Sequence, residues 1–154
     1  MSQKTRFPRL ASGAGVLLSI SLLILALGLA PPLWAQEIGA RGNFKPSAED
    51  LAFLPPYCRA RVMPSGSPEV RQWSRLLQGG WNHIHHYCQA LKHLNDLNTS
   101  FSLTDRERRF RLQRVVAEIE YVEKRVDPSF PLWNEMMMHK AQAQSQLQIM
   151  NIGR

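Results

Sequence analysis

Residues 104–126, TDRERRFRLQRVVAEIEYVEKRV, decide how this chain folds. Thr104 and Glu107 stand at the capping-box spacing, in which a hydroxyl and a carboxylate each take a free N–H at the start of a helix. At about 100° per residue, Leu112, Val115, Ile119, Val122 and Val126 then line one side, and Phe110, Ala117 and Tyr121 fall nearly opposite. A helix that is apolar on opposed sides has to be covered twice, so the pattern predicts the middle layer of a helical stack.

The flanking segments supply the neighbours. Trp81 to about Leu97 reads as an amphipathic helix with Ile84, Tyr87, Leu91 and Leu94 on one stripe, Cys88 and Ala90 at its margins and Gln89, Lys92 and Asp96 opposite. Asn98, Thr99 and Ser100 break that pattern. On the other side, Asp127-Pro128-Ser129-Phe130-Pro131 ends the central helix, because neither proline can donate to a continuing ladder. A last helix is expected from about Leu132 to Met150. Further upstream, Ser67, Pro68 and Glu69 start a helix that reaches about Leu77 before the Gly79-Gly80 turn. Ser47 with Glu49 and Asp50 starts a shorter one that Pro55-Pro56 stops. No useful stretch after residue 36 alternates with period two, so the expected class is all-α.

The 154 residues allow one ordinary domain, and the formal charge is +7. Lys4, Arg6 and Arg9 precede an apolar run from Val16 to Ala30, followed by Pro31, Pro32, Leu33, Trp34 and Ala35, the layout of a secretory signal peptide cleaved after Ala35. An uncleaved anchor at residues 14–35 is the competing reading, since the run nearly matches a bilayer if Leu33 and Trp34 are counted. Cleavage removes three cations and no acid and lowers the charge to about +4. Residues 36–56 are expected to form a flexible leader, few of them being large and apolar before Leu51, and residues 57–154 the helical domain. Arg106, Arg108, Arg109, Arg111 and Arg114 form the one dense basic cluster. They scatter around a helix instead of lining a face, which with export argues against nucleic acid as a partner.

Two antiparallel helices, a proline turn and a further helix resemble the layout of tetratricopeptide repeats. Ala90, Ala117, Tyr121, Pro128 and Ala141 look like the small, small, aromatic, proline and small positions of that repeat. The leucine-glycine pair of the first helix is missing and the turn around Asn98 to Leu103 is longer than usual. LPPYCRAR (54–61), HIHHYCQAL (83–91) and EIEYV (118–122) are similar to segments of exported bacterial tetratricopeptide-repeat proteins. The resemblance covers about residues 81–154. It implies a short array of helical hairpins and a binding or assembly role.

Cys58 and Cys88 both follow the signal segment, and in an oxidising compartment an even cysteine count reads as a disulfide. Closing a loop of roughly 30 residues stabilises a fold by about 3 to 4 kcal/mol in the chain-entropy account. His83, His85 and His86 crowd one turn and His93 follows two turns on. His83, His86 and His93 share an arc of about 80°, so His83 and His86 could reach one zinc or copper ion. No third ligand is evident on that helix, and histidines bordering a helix interface are the simpler reading. No nucleophile elbow, carboxylate pair or phosphate loop stands before a suitable element, so no enzyme and no cofactor are expected. Met136, Met137, Leu147 and Met150 are candidates for a protein-binding surface at the open end of the stack, although core filling is the simpler reading for the methionines. The expectation is a non-enzymatic periplasmic scaffold that binds an envelope protein or a second copy of itself. A metal binder and a membrane-anchored accessory subunit compete with it.

Overall fold

The chain divides into two units, Met1–Gln36 and Glu37–Arg154. A computed structural model describes residues 44–152 of the second, so the signal segment, the competing anchor at 14–35 and the start of the leader lie outside the described residues. Six helices make up the described part, with no strand among its residues: α1 (Ala48–Phe53), α2 (Pro56–Val62), α3 (Pro68–Leu76), α4 (Ile84–Thr99), α5 (Asp105–Glu123) and α6 (Trp133–Ile152). None is long and apolar enough to cross a membrane.

Local chemistry sets most of these boundaries. Ser47 and Asp50 form a capping box at α1, Ser67 Oγ accepts from Val70 N at α3, and Thr104 and Glu107 form the expected box at α5. Pro55-Pro56 ends one helix and begins another, because a proline in the first turn gives up only an N–H that has no intrahelical partner there. Helix α4 runs through Asn98 and Thr99 and stops at Ser100, with Thr99 Oγ1 bonded back to Asn95 O at 2.9 Å. Gly79 takes φ 85°, the left-handed conformation that favours glycine, in the turn before α4.

Helix α4 is the axis of the core. Ile84, Tyr87, Cys88 and Ala90 are fully buried, so the covered side is wide enough to take in Cys88 and Ala90 at its two margins, while Leu91 and Leu94 are only partly buried. Helix α5 packs antiparallel to it and α6 antiparallel to α5. His86 meets Glu118 where Asp96 meets Arg111, and Lys140 meets Glu123 at 2.6 Å where Arg109 Nη2 donates to Met150 O at 2.9 Å.

Three expectations are corrected. Helix α5 does lie between α4 and α6, but it meets both with one broad side: Leu112, Val115, Ile119 and Val122 are buried, whereas Phe110 is 58% exposed and Ala117 is exposed. Both neighbours fit on that side because the pairs to α4 and α6 flank the same apolar strip. The leader belongs to the body from Phe44 onward, within its first half, since Phe44 is 2% exposed and Leu54 is buried. Met136, Met137, Leu147 and Met150 turn inward: Met136 is fully buried and the others pack partly buried on the core. Recurrence at i, i+7, i+11 and i+14 puts Met136, Ala143, Leu147 and Met150 within an arc of about 60°, the arc that α6 turns to α5. The exposed apolar residues of α6 are Met138, Ile149 and Ile152.

Cys58 and Cys88 are bonded, with Cα atoms 5.6 Å apart and 30 residues between them. The bond pins α2 to α4 where both are buried. Replacing the pair by alanine should lower the unfolding free energy by about 3 to 4 kcal/mol in denaturant titrations, and an unchanged midpoint would refute a stabilising role.

Gly80 provides a second check. A β-carbon built there overlaps the ring of Phe130, which is itself buried, while one at Gly66 meets nothing within 4 Å. Gly80→Ala should therefore destabilise by about 1 to 3 kcal/mol. Gly66→Ala should stay within about 0.5 kcal/mol of the parent, as surface substitutions do.

Candidate functional site

Two polar clusters stand on α4, on different sides of it. The inner one is built around the disulfide. Tyr87 OH donates to Glu135 Oε1 at 2.8 Å and lies 2.8 Å from His139 Nδ1, and Tyr57 OH donates to the same Glu135 oxygen at 3.4 Å. Both tyrosines are buried. Burial, then Tyr57 and Glu135, push the Tyr87 hydroxyl far above its ordinary range, and burial and Glu135 do the same to Tyr57. Both phenols therefore stay protonated donors. Helices α2, α4 and α6 meet here with their hydroxyls satisfied, which is what a structural joint requires.

The outer cluster opens to solvent. His86 Nδ1 lies 2.6 Å from Glu118 Oε2, and the other oxygen of Glu118 accepts from Arg114. Glu118 is 8% exposed, which a carboxylate tolerates when it is paired on both oxygens. The Tyr121 ring stacks on His86 with centroids 3.6 Å apart, and the Arg125 guanidinium lies 3.5 Å over the other side of Tyr121 while donating to Tyr121 O at 2.8 Å. His85 leans on His86 with ring centroids 4.3 Å apart. Phe44, Gln89, Arg114, Ala117 and Tyr121 complete the walls of a cleft of about 230 Å³ between α4 and α5. It lies beside the uncovered side of α5.

Charge inside this cluster is lopsided. Arg61, Arg114 and Arg125 approach the histidines, and Glu118 is the carboxylate paired with His86. Burial first, then His86 and Arg61, depress His85 from an ordinary 6.5 to about 4, against the pull of the Asn82 backbone. Burial, then Arg125, His86 and Arg61, lower His83. His93 is lowered by burial and by Arg111, and lies 3.2 Å from Gln89 Nε2.

Of the three histidines considered for a metal, His83 and His86 share the Tyr121 ring and His93 stands apart from them. His86 is held by Glu118, His83 sits edge-on to Tyr121 at 6.0 Å, and His93 pairs with Gln89. Among the described residues no group of three His, Cys, Asp or Glu side chains comes together to hold a metal ion. Glu118, Tyr121 and the Tyr57–Tyr87–Glu135–His139 joint were not singled out as site residues from sequence. An acid set among Val115, Ile119 and Val122 on the apolar side was the available signal for Glu118, because a carboxylate there needs a partner from another helix. Comparisons with protein-family models, with curated proteins and with solved structures find no match to this chain.

A histidine held neutral in the fold carries a pH signature. Between about 6.5 and about 4 the unfolded chain binds a proton at His85 that the folded chain does not, so stability falls as pH drops through that window and levels off below it. His83 and His93 act in the same direction. The urea midpoint should decline on acidification across this window and decline less in His85→Gln. Equal slopes for the two proteins would remove His85 as the cause.

Proposed function

We propose that this protein is a non-enzymatic, protein-binding helical module of the cell envelope, exported behind residues 1–35 and built on hairpins related to tetratricopeptide repeats. The observation that carries the reading is the open side of α5. Phe110 and Ala117 stay exposed and Tyr121 only half covered, next to a polar cleft, although the opposite side of the same helix is fully packed. Exposed apolar side chains grouped with polar ones on a rigid element are how binding surfaces differ from scattered exposed leucines.

Location and chemistry agree with this. A buried disulfide points to an oxidising compartment outside the cytoplasm, and residues 1–35 carry the export pattern that would take the chain there. The hairpin relationship draws on the antiparallel α4–α5 and α5–α6 pairs, on Ala90 fully buried in α4 and on the proline turn after α5. Ala117 and Ala141 depart from it, both being solvent-facing here.

A photo-crosslinking residue at Phe110 or Ala117, introduced into the full chain in its own cells, should trap one discrete adduct in the envelope. The same residue at Glu69 or Arg71 on α3 should not. Adducts of equal yield from both helices, or none from α5, would dismiss α5 as the binding surface.

A further inference from the structure

The arginines of α5 are divided by what they touch. Arg108 Nη1 donates to Leu97 O at 3.5 Å, Arg109 to Met150 O at 2.9 Å and to Asn151, and Arg111 to Asp96, so these three fasten α5 to its neighbours. Arg106 and Arg114 are left on the outer side, and Lys124 and Arg125 follow at the far end, all four exposed. With Phe110, Gln113, Ala117 and Tyr121 they recur at three- and four-residue steps along one strip.

Carboxylates are absent from the middle of that strip. Asp105 and Glu107 belong to the first turn, where Glu107 caps Thr104, and Glu120 and Glu123 face Lys140 at 3.5 and 2.6 Å. Glu118, at the strip's inner edge, is buried and already paired with His86 and Arg114. Lys124 and Arg125 suit the negative end of the helix dipole, so helix stability accounts for them. Arg106 sits in the first turn, at the positive end, where a cation is disfavoured by about 0.3 to 1 kcal/mol. Among the described residues no carboxylate pairs with it. Local stability therefore explains neither its place nor the one-signed strip.

Taking the outer side of α5 as the binding surface, as proposed above, we infer that its occupant is an acidic, partly apolar peptide segment of the partner protein. Its carboxylates meet Arg106, Arg114 and Lys124, and an apolar side chain rests on Phe110 and Ala117. A guanidinium has five N–H donors and Arg114 bonds Glu118 through one of its nitrogens while 45% exposed, so donors remain at the mouth of the cleft for an incoming carboxylate. The cleft favours a peptide over a membrane surface, since a concave space of about 230 Å³ with Gln89 and Tyr121 in its walls receives a side chain and serves no purpose against a flat bilayer.

The test uses the exported protein, isotope-labelled, titrated with a short peptide of alternating Glu, Leu and Asp. Controls are its Lys-Leu and Ser-Leu counterparts and vesicles containing phosphatidylglycerol. The acidic peptide should shift the amide resonances of Phe110, Arg114, Ala117 and Tyr121. Arg106→Glu with Lys124→Glu, which leaves the Arg114–Glu118 contact in place, should weaken it on the order of tenfold. Raising the salt should weaken it further. Equal binding of the Ser-Leu peptide at the same resonances would overturn the acidic class while upholding the surface. Binding to vesicles alone, or shifts confined to other helices, would overturn the inference, and crosslinking at Phe110 judges the surface independently.

Discussion

One joint holds the described part of the molecule together. Tyr57-Cys58 of α2 and Tyr87-Cys88 of α4 lie side by side, their sulfurs bonded and their hydroxyls converging on Glu135 of α6. The covalent bond restricts the unfolded chain, and the hydroxyls make the buried meeting point specific, because a buried phenol without an acceptor costs about 1 to 3 kcal/mol. Helices from both ends of the described chain are therefore fixed to α4 at a single level.

Everything on α5 follows from that arrangement. With α2 and α6 held against one flank of α4, α5 closes the remaining flank and rests on α6 as well, using the strip from Leu112 to Val122 for both. Asp96–Arg111 and Lys140–Glu123 at 2.6 Å border that strip. Each such pair adds no more than about 1 kcal/mol, so their part is to orient helices that burial has already brought together. Among the described residues no helix then packs against the outer side of α5.

Local signals were legible in the sequence and long-range ones were not. Ser47, Ser67 and Thr104 announced their helices because a cap acts within three residues, and Pro55-Pro56 and Pro128 announced breaks for the same reason. The disulfide followed from compartment and count. Phe110, Ala117 and Tyr121 misled, because apolar residues on a helix record what could be buried and not whether a neighbour arrives. Met136 to Met138 left core filling and a binding face both open: consecutive methionines point all round a helix, and the decisive spacing ran through Ala143, Leu147 and Met150. Phe44 was invisible among polar neighbours. His86 and Glu118 are 32 residues apart, and the metal reading grouped the histidines along one helix while the structure partners His86 from another. The electrostatics of the cleft belong to that crossing and to no single segment.

Hydroxyl-radical footprinting of the purified exported domain tests the central claim most directly, because it reads side-chain exposure residue by residue. The account predicts rapid modification of Phe110, slower modification of Tyr121, and strong protection of Tyr57 and Tyr87 that is lost on reduction and unfolding. Protection of Phe110 equal to that of Tyr87 would show α5 covered on both sides and would contradict the account.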